Sequence, residues 1–469
     1  MSDPLEVARA ALTGEEVHLV GGAVRDRLLR RPLTDLDLVV AAPDAAPAAR
    51  ALGNAAGGPA FALSDTWGSW RVLAPDRRWQ ADLTPQRGGS LEADLALRDF
   101  TLNAMAEPLA GGGPIDPHGG ADDLAAGRLR MVSEQAFADD PLRTVRLARL
   151  GCELRLTVDE QTLAAARRHA EGLDRVAGER VFAELKRIVT ADEALAGLDL
   201  LERAGATAVV LPELSAMHGV EQTRYHHRDV HGHVMEVLQH AIALERDPGA
   251  VLGEQHGDGV RALLAQPLGD ELTRGGGLRF AALLHDVAKP ATQTPLPQGG
   301  HGFPGHDELG ARVSRDILAR LRTGERLRAH VAALARHHLR TGFLVHDRPL
   351  ERRAVHAYLV ACAPVAADVT LLSVVDRLAT RGRKAHEAIE RHLGLVRELL
   401  PEALRWQEHG PPAPLVRGDE LARALGRPPG PWLADALAEL AEAQYAGEIT
   451  TRGQALAHVQ GGEHPPAQP

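Results

Sequence analysis

The stretch Val17–Val40, VHLVGGAVRDRLLRRPLTDLDLVV, places a Gly-Gly turn, a short basic helix and two carboxylates one residue apart within two dozen positions. In a strand, residues i and i+2 project from the same face, so Asp35 and Asp37 point one way while Leu36 and Leu38 point into a core. Two carboxylates held side by side on a rigid strand repel each other unless a cation sits between them, which reads as a divalent-metal site. Gly21 and Gly22 fall at a strand-to-helix junction, where a missing Cβ lets backbone N–H groups approach an anion such as a triphosphate. Together these features point to nucleotidyl transfer.

The bulk numbers narrow the class. A chain of 469 residues is expected to hold about three domains at roughly 100–200 residues each. With 44% hydrophobic and 25% charged residues, the composition is that of a globular protein. No run of 18 apolar residues occurs and the N-terminus lacks a signal pattern, so a cytoplasmic protein with no membrane partner is expected. Cys152 and Cys362 form no metal-binding pattern, and reduced thiols are the simplest reading. The net charge of −10 leaves room for nucleic acid only in a local basic groove.

Short apolar runs (VHLV, DLDLVV, RVLA, WQADL) alternate with turn signals over residues 17–110, predicting a small sheet. From Ala121 onward the apolar residues recur three and four apart, predicting helices to the end, broken by Gly/Pro-rich loops at 247–276 and 290–305 and a linker at 410–415. The fold class expected is an α+β head, a small mixed sheet with helices, followed by a long all-α body. The divisions expected are a head at 1–134, a helical neck at 135–215, a histidine-rich helical domain at 216–395 and a small helical tail at 396–469.

Four motifs then follow in order: GGAVRD, TDLDLVV, LALRDFTLNAMA (Leu95 to Ala106) and FADDPLRTVRLAR (Phe137 to Arg149). In this combination the chain resembles the class II tRNA nucleotidyltransferase family, which includes CCA-adding enzymes and bacterial poly(A) polymerases. The resemblance implies that Asp35 and Asp37 hold Mg2+, which would activate an RNA 3′-hydroxyl and clamp a nucleoside triphosphate. Asp82, in WQADLT, is the candidate third carboxylate. Gly21, Gly22 and Arg25 would face phosphate, with Asp26 pairing locally. Arg98 and Asp99 match the family's ribose- and triphosphate-binding pair, and Asn103 would organise their turn. The alternative for this segment is an amphipathic helix start with Asp99 near its positive end.

Asp140 and Arg143, three apart on an expected helix face, match the pair that reads the incoming base without a template. A carboxylate accepts from the exocyclic amine of C or A and repels the carbonyl of U or G. The bland alternative is an i,i+3 ion pair worth ~0.2–0.5 kcal/mol. Arg146 and Arg149 continue the helix toward phosphate, while Glu179, Arg180 and Glu184 in the next helix read as structural. The partners implied are tRNA, CTP and ATP. One departure stands out: only TPQRGGSLEADLAL separates Asp82-Leu83 from RDFT, where CCA-adding members carry a longer flexible lever and CC-adding members tend not to.

The histidines cluster from residue 225: YHHRDVHGHVMEVLQH, FAALLHDVAKP, GHDELGA, ARHHL and VVDRL. The order His233, His285-Asp286, Asp376 resembles the HD-domain metal-dependent phosphohydrolases and implies a divalent metal. An adjacent His-Asp pair on an apolar helix is costly to bury unless something binds both. His306 and His337 are the further candidate ligands, with His338 beside them, and Lys289 a candidate phosphate contact. The leading expectation is a template-independent enzyme that builds or repairs the 3′ CCA end of tRNA, with HD phosphohydrolase activity as an addition. The alternatives are CC addition alone, poly(A) polymerase, an HD phosphohydrolase whose head only binds RNA, and a nucleotidylating signal regulator.

Overall fold

The computed structural model describes residues 3–64, 67–222, 227–297, 300–346, 349–380 and 385–461. Tyr225 and His226 of the first histidine run lie outside the described residues. Two compact units are present, Met1–Leu211 and Pro212–Pro469.

The first unit is built on a six-stranded sheet of β1 (Val17–Val20), β2 (Asp35–Val40), β3 (Ala60–Ser64), β4 (Ser69–Leu73), β5 (Gln80–Pro85) and β6 (Ala106–Pro108), in the order β3-β4-β5-β2-β1-β6. Only β2 and β5 run parallel; every other neighbouring pair is antiparallel. The alternation in DLDLVV does what its period demands. Leu36 and Leu38 are buried while Asp35 and Asp37 are exposed. Leu36, Leu38, Val72, Ala81 and Leu83 form one core with Ala- and Leu-rich helices α1 (Pro4–Ala11) and α3 (Ala46–Ala56). The short helix α2 (Gly22–Leu28) follows β1 directly.

On the opposite face the register lines up polar residues in rows. Asp37 stands beside Asp82, Asp82 beside Arg71, and Arg71 beside Phe61, crossing β2, β5, β4 and β3. Val20 and Val39 on this side are covered by α4 (Leu91–Ala96), whose Ser90 side chain caps the Ala93 N–H. The edge strand β3 carries a register shift between Ala62 and Ser64, a bulge that bends it.

RDFTLNAMA is not a helix start: α4 ends at Ala96 and Thr101–Asn103 forms a single 3-10 turn. Helix α5 (Gly120–Ala125) packs on that turn. Helices α6 (Gln135–Asp139), α7 (Arg143–Leu154), α8 (Glu160–His169), α9 (Gly178–Thr190) and α10 (Ala194–Arg203) follow, with a short helix Thr207–Val210 at the end of the unit.

The second unit is helical. The helix Arg274–Leu284, buried from Gly275 onward, lies among Val230–Arg246, Glu325–His337 and Ala366–Leu378. The expected loop at 247–276 instead contains helices Pro248–Leu252 and Glu254–Leu264. Its glycines obscured the cap at Asp247, which accepts from the Ala250 N–H ahead of Pro248 at the helix start. Helical texture is also interrupted by two-stranded ladders, such as Thr294–Pro295 with His301–Gly302. The tail has its own apolar cluster around Leu421, Ala436 and Leu440, with helices beginning at Gly418 and Pro431. Among the described residues no single helix is long and apolar enough to cross a membrane.

A Cβ on Gly120 would meet the Thr101 carbonyl oxygen at 2.1 Å. The substitution Gly120→Ala is therefore expected to destabilise the first unit by about 1–3 kcal/mol, read as an earlier urea midpoint at unchanged m-value.

Candidate active site and metal centre

Asp35 and Asp37 stand at the floor of a cavity of about 440 Å3 in the first unit. Its walls carry Arg25, Arg87, Arg98, Arg143, Arg146, Arg149 and Arg187 against Asp26, Asp99 and Asp140. Gly21 turns the chain with φ 69°, and a Cβ there would lie 2.8 Å from Arg98 Nη1 and 3.4 Å from Asp37 Oδ2. Only glycine fits between the carboxylate and the arginine. Desolvation raises the Asp37 carboxyl above its ordinary range, opposed by Arg98 and reinforced by Asp82 and Asp35. A cation between the carboxylates would relieve that cost, so the donor set fits the divalent metal expected there.

Asp82 sits beside Asp37 in register, but both its oxygens are held by Arg71, at 2.7 Å from Nε and 2.7 Å from Nη2. Asp82 is thus already paired with Arg71, while its charge still reaches Asp37. Asp35 accepts from Gln80 Nε2 at 2.7 Å.

The cavity's cations are held in place by buried carboxylates. Asp94, which sequence reasoning passed over, is 1% exposed and accepts from Arg87 Nε at 3.0 Å and Arg98 Nη2 at 3.1 Å. Its signal was the i,i+4 spacing to Arg98. Arg25 pairs with Asp26, as expected, and donates to Asn103 Oδ1 at 2.7 Å. Asn103 in turn donates to Asp99 Oδ1 at 3.0 Å, so it does organise its turn.

Asp99 is buried and fully employed. One oxygen accepts from the Phe100 N–H at 2.8 Å and the other from Arg146 Nη2 at 2.7 Å. Burial alone would raise its carboxyl, but Arg146, Asn103 and the Phe100 N–H outweigh it and hold it at about 2. Asp99 therefore serves this cavity by fixing Arg146.

Asp140 and Arg143 both line the cavity but do not share a helix face. Asp140 lies beyond the end of α6 with extended φ −143° and ψ 95°, and Arg143 opens α7. Pro141 is the reason, since a residue before proline is pushed out of the helical region. Nor do their side chains pair with each other, although the Arg143 N–H donates to the Asp140 carbonyl at 3.0 Å. Arg143 donates to the backbone oxygens of Leu97 at 3.0 Å and Ala136 at 3.2 Å, and Asp140 accepts from Arg180 at 2.7 Å. Arg180 and Glu184, read as structural, thus position cavity residues: Glu184 pairs with Arg149 and faces Arg146 at 3.9 Å. Arg149 also reaches Glu153 at 2.8 Å, which holds the unforeseen Arg187 at 2.7 Å.

In the second unit the histidine-aspartate residues converge. His233 Nε2 lies 3.0 Å from Asp376 Oδ1 and 3.6 Å from Asp286 Oδ2, and His285 Nε2 lies 3.3 Å from the latter. On the other side of Asp286, Oδ1 stands 3.4 Å from His306 Nε2 and 3.8 Å from His338 Nε2. Two ligand groups result, His233–His285–Asp286 and Asp286–His306–His338, and each could hold a metal. His285 Nε2 and Asp286 Oδ1 are buried without an aligned hydrogen-bond partner among the described residues, as metal ligands would be. Burial, with His285 adding, pushes His338 down to about 4, leaving it neutral and able to coordinate. The adjacent His337 is not a ligand: successive helix positions diverge by about 100°, and His337 instead accepts from Arg340 at 3.0 Å. Lys289 is already engaged, at 2.6 Å from Asp286 Oδ2 and 2.7 Å from Gln222 Oε1.

Family models match in the same places. Residues 71–130 match the poly A polymerase head domain, 155–217 a probable RNA and SrmB-binding site of polymerase A, and 230–380 the HD domain. The A-adding tRNA nucleotidyltransferase of Deinococcus radiodurans is 38% identical, covering 94% of this chain and 94% of its own. The chain belongs to the class II tRNA nucleotidyltransferase family. The CC-adding tRNA nucleotidyltransferase of Thermus thermophilus is 34% identical over 95% of this chain and 94% of its own. The fold is also that of the Thermotoga maritima CCA-adding enzyme complexed with tRNA, at TM-score 0.61 and 18% identity, covering 97% of this chain and 94% of that one. This nucleotidyltransferase thus joins a metal-dependent transferase head to an HD domain, another metal-dependent family.

The Asp99 carboxyl, at about 2 against an ordinary 3.8, stabilises the folded state above pH 4 and loses that contribution as pH falls toward 2. The shift corresponds to about 2 kcal/mol. Urea titrations of wild type and Asp99→Asn are expected to show a stability gap that is full at pH 7 and narrows below pH 4. In the second unit, His338→Ala is expected to lower bound Mn2+ in calorimetric titration, and His337→Ala to leave it within twofold of wild type.

Proposed function

We propose that the chain transfers CMP and AMP units from CTP and ATP to the 3′ end of tRNA, without a template, to build or repair its terminal CCA. The observation that carries this reading is the arginine-walled cavity that opens over Asp35 and Asp37 and is bounded by Asp140 and Arg143. Divalent metal held by the two aspartates would lower the pKa of the attacking hydroxyl and neutralise charge on the transferred phosphoryl group. The chain's own residues do the rest. Gly22 and Ala23 bring the first turn of α2 to the triphosphate, and Arg87, Arg98 and Arg146 offer it fixed positive charge. Asp140, steadied by Arg180, offers an acceptor to the amino group of C or A, and Arg143 is oriented by two backbone carbonyls. With this assignment goes a proposed four-part division: head to residue 134, neck to 215, HD domain to 395 and tail beyond.

A narrower reading, CC addition alone, is favoured by one observation. The connection between β5 and α4 is only Gln86–Ser90, and Arg87 ties it down through its backbone and side chain to Asp94. A turn so short and anchored leaves little chain to reshape the pocket between C and A. The HD centre is proposed as a second, metal-dependent phosphohydrolase site, on the strength of the ligands converging on Asp286.

The test uses tRNA ending at the discriminator base or at CC, with CTP, ATP or both. Wild type is expected to extend, and Asp35→Ala with Asp37→Ala to reduce the rate by at least about 1,000-fold. Addition of A to the CC-ended tRNA removes the narrower reading. Extension persisting in the double variant removes the metal assignment. Asp286→Ala is expected to abolish metal-dependent phosphatase activity while leaving extension unchanged.

A further inference from the structure

A second cavity, of about 380 Å3, also opens at Asp37 but is lined by no residue of α2, whose Gly22, Ala23 and Arg25 line the first. It shares Asp37, Arg87 and Arg98 with the arginine-walled cavity and adds Ser69, Asp82, Thr84 and Trp67. The Ser69 and Thr84 hydroxyls lie 3.4 Å apart on neighbouring strands. Trp67, at the end of the β3–β4 ribbon, is 64% exposed, and Phe61 and Leu63 on β3 are exposed at 41% and 44%. Phe61 faces the catalytic side of the sheet, because it stands beside Arg71 in the row that runs through Asp82 to Asp37. Apolar surface of this size, uncovered and continuous with charged catalytic residues, calls for a ligand that has both π-faces and phosphates.

We propose that this second cavity receives the unpaired 3′ end of the RNA acceptor, with Trp67 stacking on the terminal base and Phe61 extending the platform toward the preceding nucleotide. The inference rests on the nucleotidyl-transfer reading and deepens it. In-line displacement requires the attacking hydroxyl and the leaving pyrophosphate on opposite sides of the transferred phosphorus. With the triphosphate beside α2, the acceptor must approach Asp37 away from α2, and the second cavity has no α2 residue in its lining. Its hydroxyl pair suits a ribose, and the arginines shared by the two cavities suit the phosphates on either side of the reaction. Stacking on an aromatic ring tolerates any base, which a growing end that changes identity requires.

The test uses the full chain and an acceptor-stem minihelix carrying 2-aminopurine at its 3′ end. Binding to wild type is expected to quench the 2-aminopurine fluorescence by stacking on the indole. Trp67→Ala should abolish the quench and raise the acceptor KM roughly 5- to 100-fold, with the KM for nucleotide within twofold of wild type. Trp67→Phe should restore most of the acceptor affinity, and Phe61→Ala should show a smaller rise. The indole is exposed, and the Trp67 backbone N–H, which donates to Ser64 Oγ at 3.3 Å, is kept in every variant, so the variants are expected to fold as wild type does. An acceptor KM unchanged in Trp67→Ala, or both KM values rising together, overturns the platform while leaving the transferase reading intact. So does dissociation of a dimer by Trp67→Ala with acceptor binding unaltered, which would make the ribbon an interface between copies. A wild-type protein that neither binds nor extends the minihelix overturns both.

Discussion

The arrangement of the transferase head depends on one ion pair, buried Asp99 with half-buried Arg146. Asp99 belongs to the turn that follows α4 and borders the sheet; Arg146 belongs to α7, the first long helix of the neck. Their contact fixes the helical wall of the cavity against its sheet floor. From Arg146 the same alternation of charge continues through Glu184, Arg149 and Glu153 to Arg187, across α7 and α9. Such a pair adds little net stability over apolar packing, but losing Arg146 would leave the buried Asp99 charge stranded. Its value is positional. Cations meant for a mobile triphosphate are kept extended by carboxylates behind them, so little side-chain entropy remains to be lost on binding.

What could be read from the sequence was whatever depends on local period. Asp35 and Asp37 share a face because a strand repeats every two residues, and Gly21 had to be glycine because a turn at that junction brings Arg98 and Asp37 against it. The misreadings share a cause. Asp140 was placed on a helix because Arg143 follows at helical spacing, and Pro141 between them was given too little weight. His306, His337 and His338 are all candidates by pattern, and the fold groups His306 and His338 with Asp286; a one-residue step on a helix rotates the side chain by about 100°, beyond what pattern resolves. Asp94, Arg187 and the bond from Asp140 to Arg180 join residues made neighbours by the fold, and no spacing rule reaches from residue 140 to residue 180. The loop expected at 247–276 fails on composition, because Gly249 and Gly253 sit at helix ends and Gly257 and Gly259 inside the helix Glu254–Leu264, where composition alone reads coil.

The two units solve opposite electrostatic problems with similar means. In the head, arginines outnumber the carboxylates lining the cavity, as a polyanionic ligand requires. In the HD domain, Asp286 and Asp376 gather histidines around them, and both carboxyls are held well below their ordinary range despite burial. Asp286 offers one oxygen to His233, His285 and Lys289 and the other to His306 and His338. A single carboxylate standing between two ligand groups would be shared by metals held in both.

The bulge in β3 carries a consequence for the protein in solution. An edge strand offers unpaired backbone donors and acceptors to any passing strand, and exposed Phe61 and Leu63 would strengthen such a union. The slip between Ala62 and Ser64 breaks the straight ladder that a second chain would need. The sheet can therefore keep its sticky side chains uncovered at the rim without acting as a seed for polymerisation.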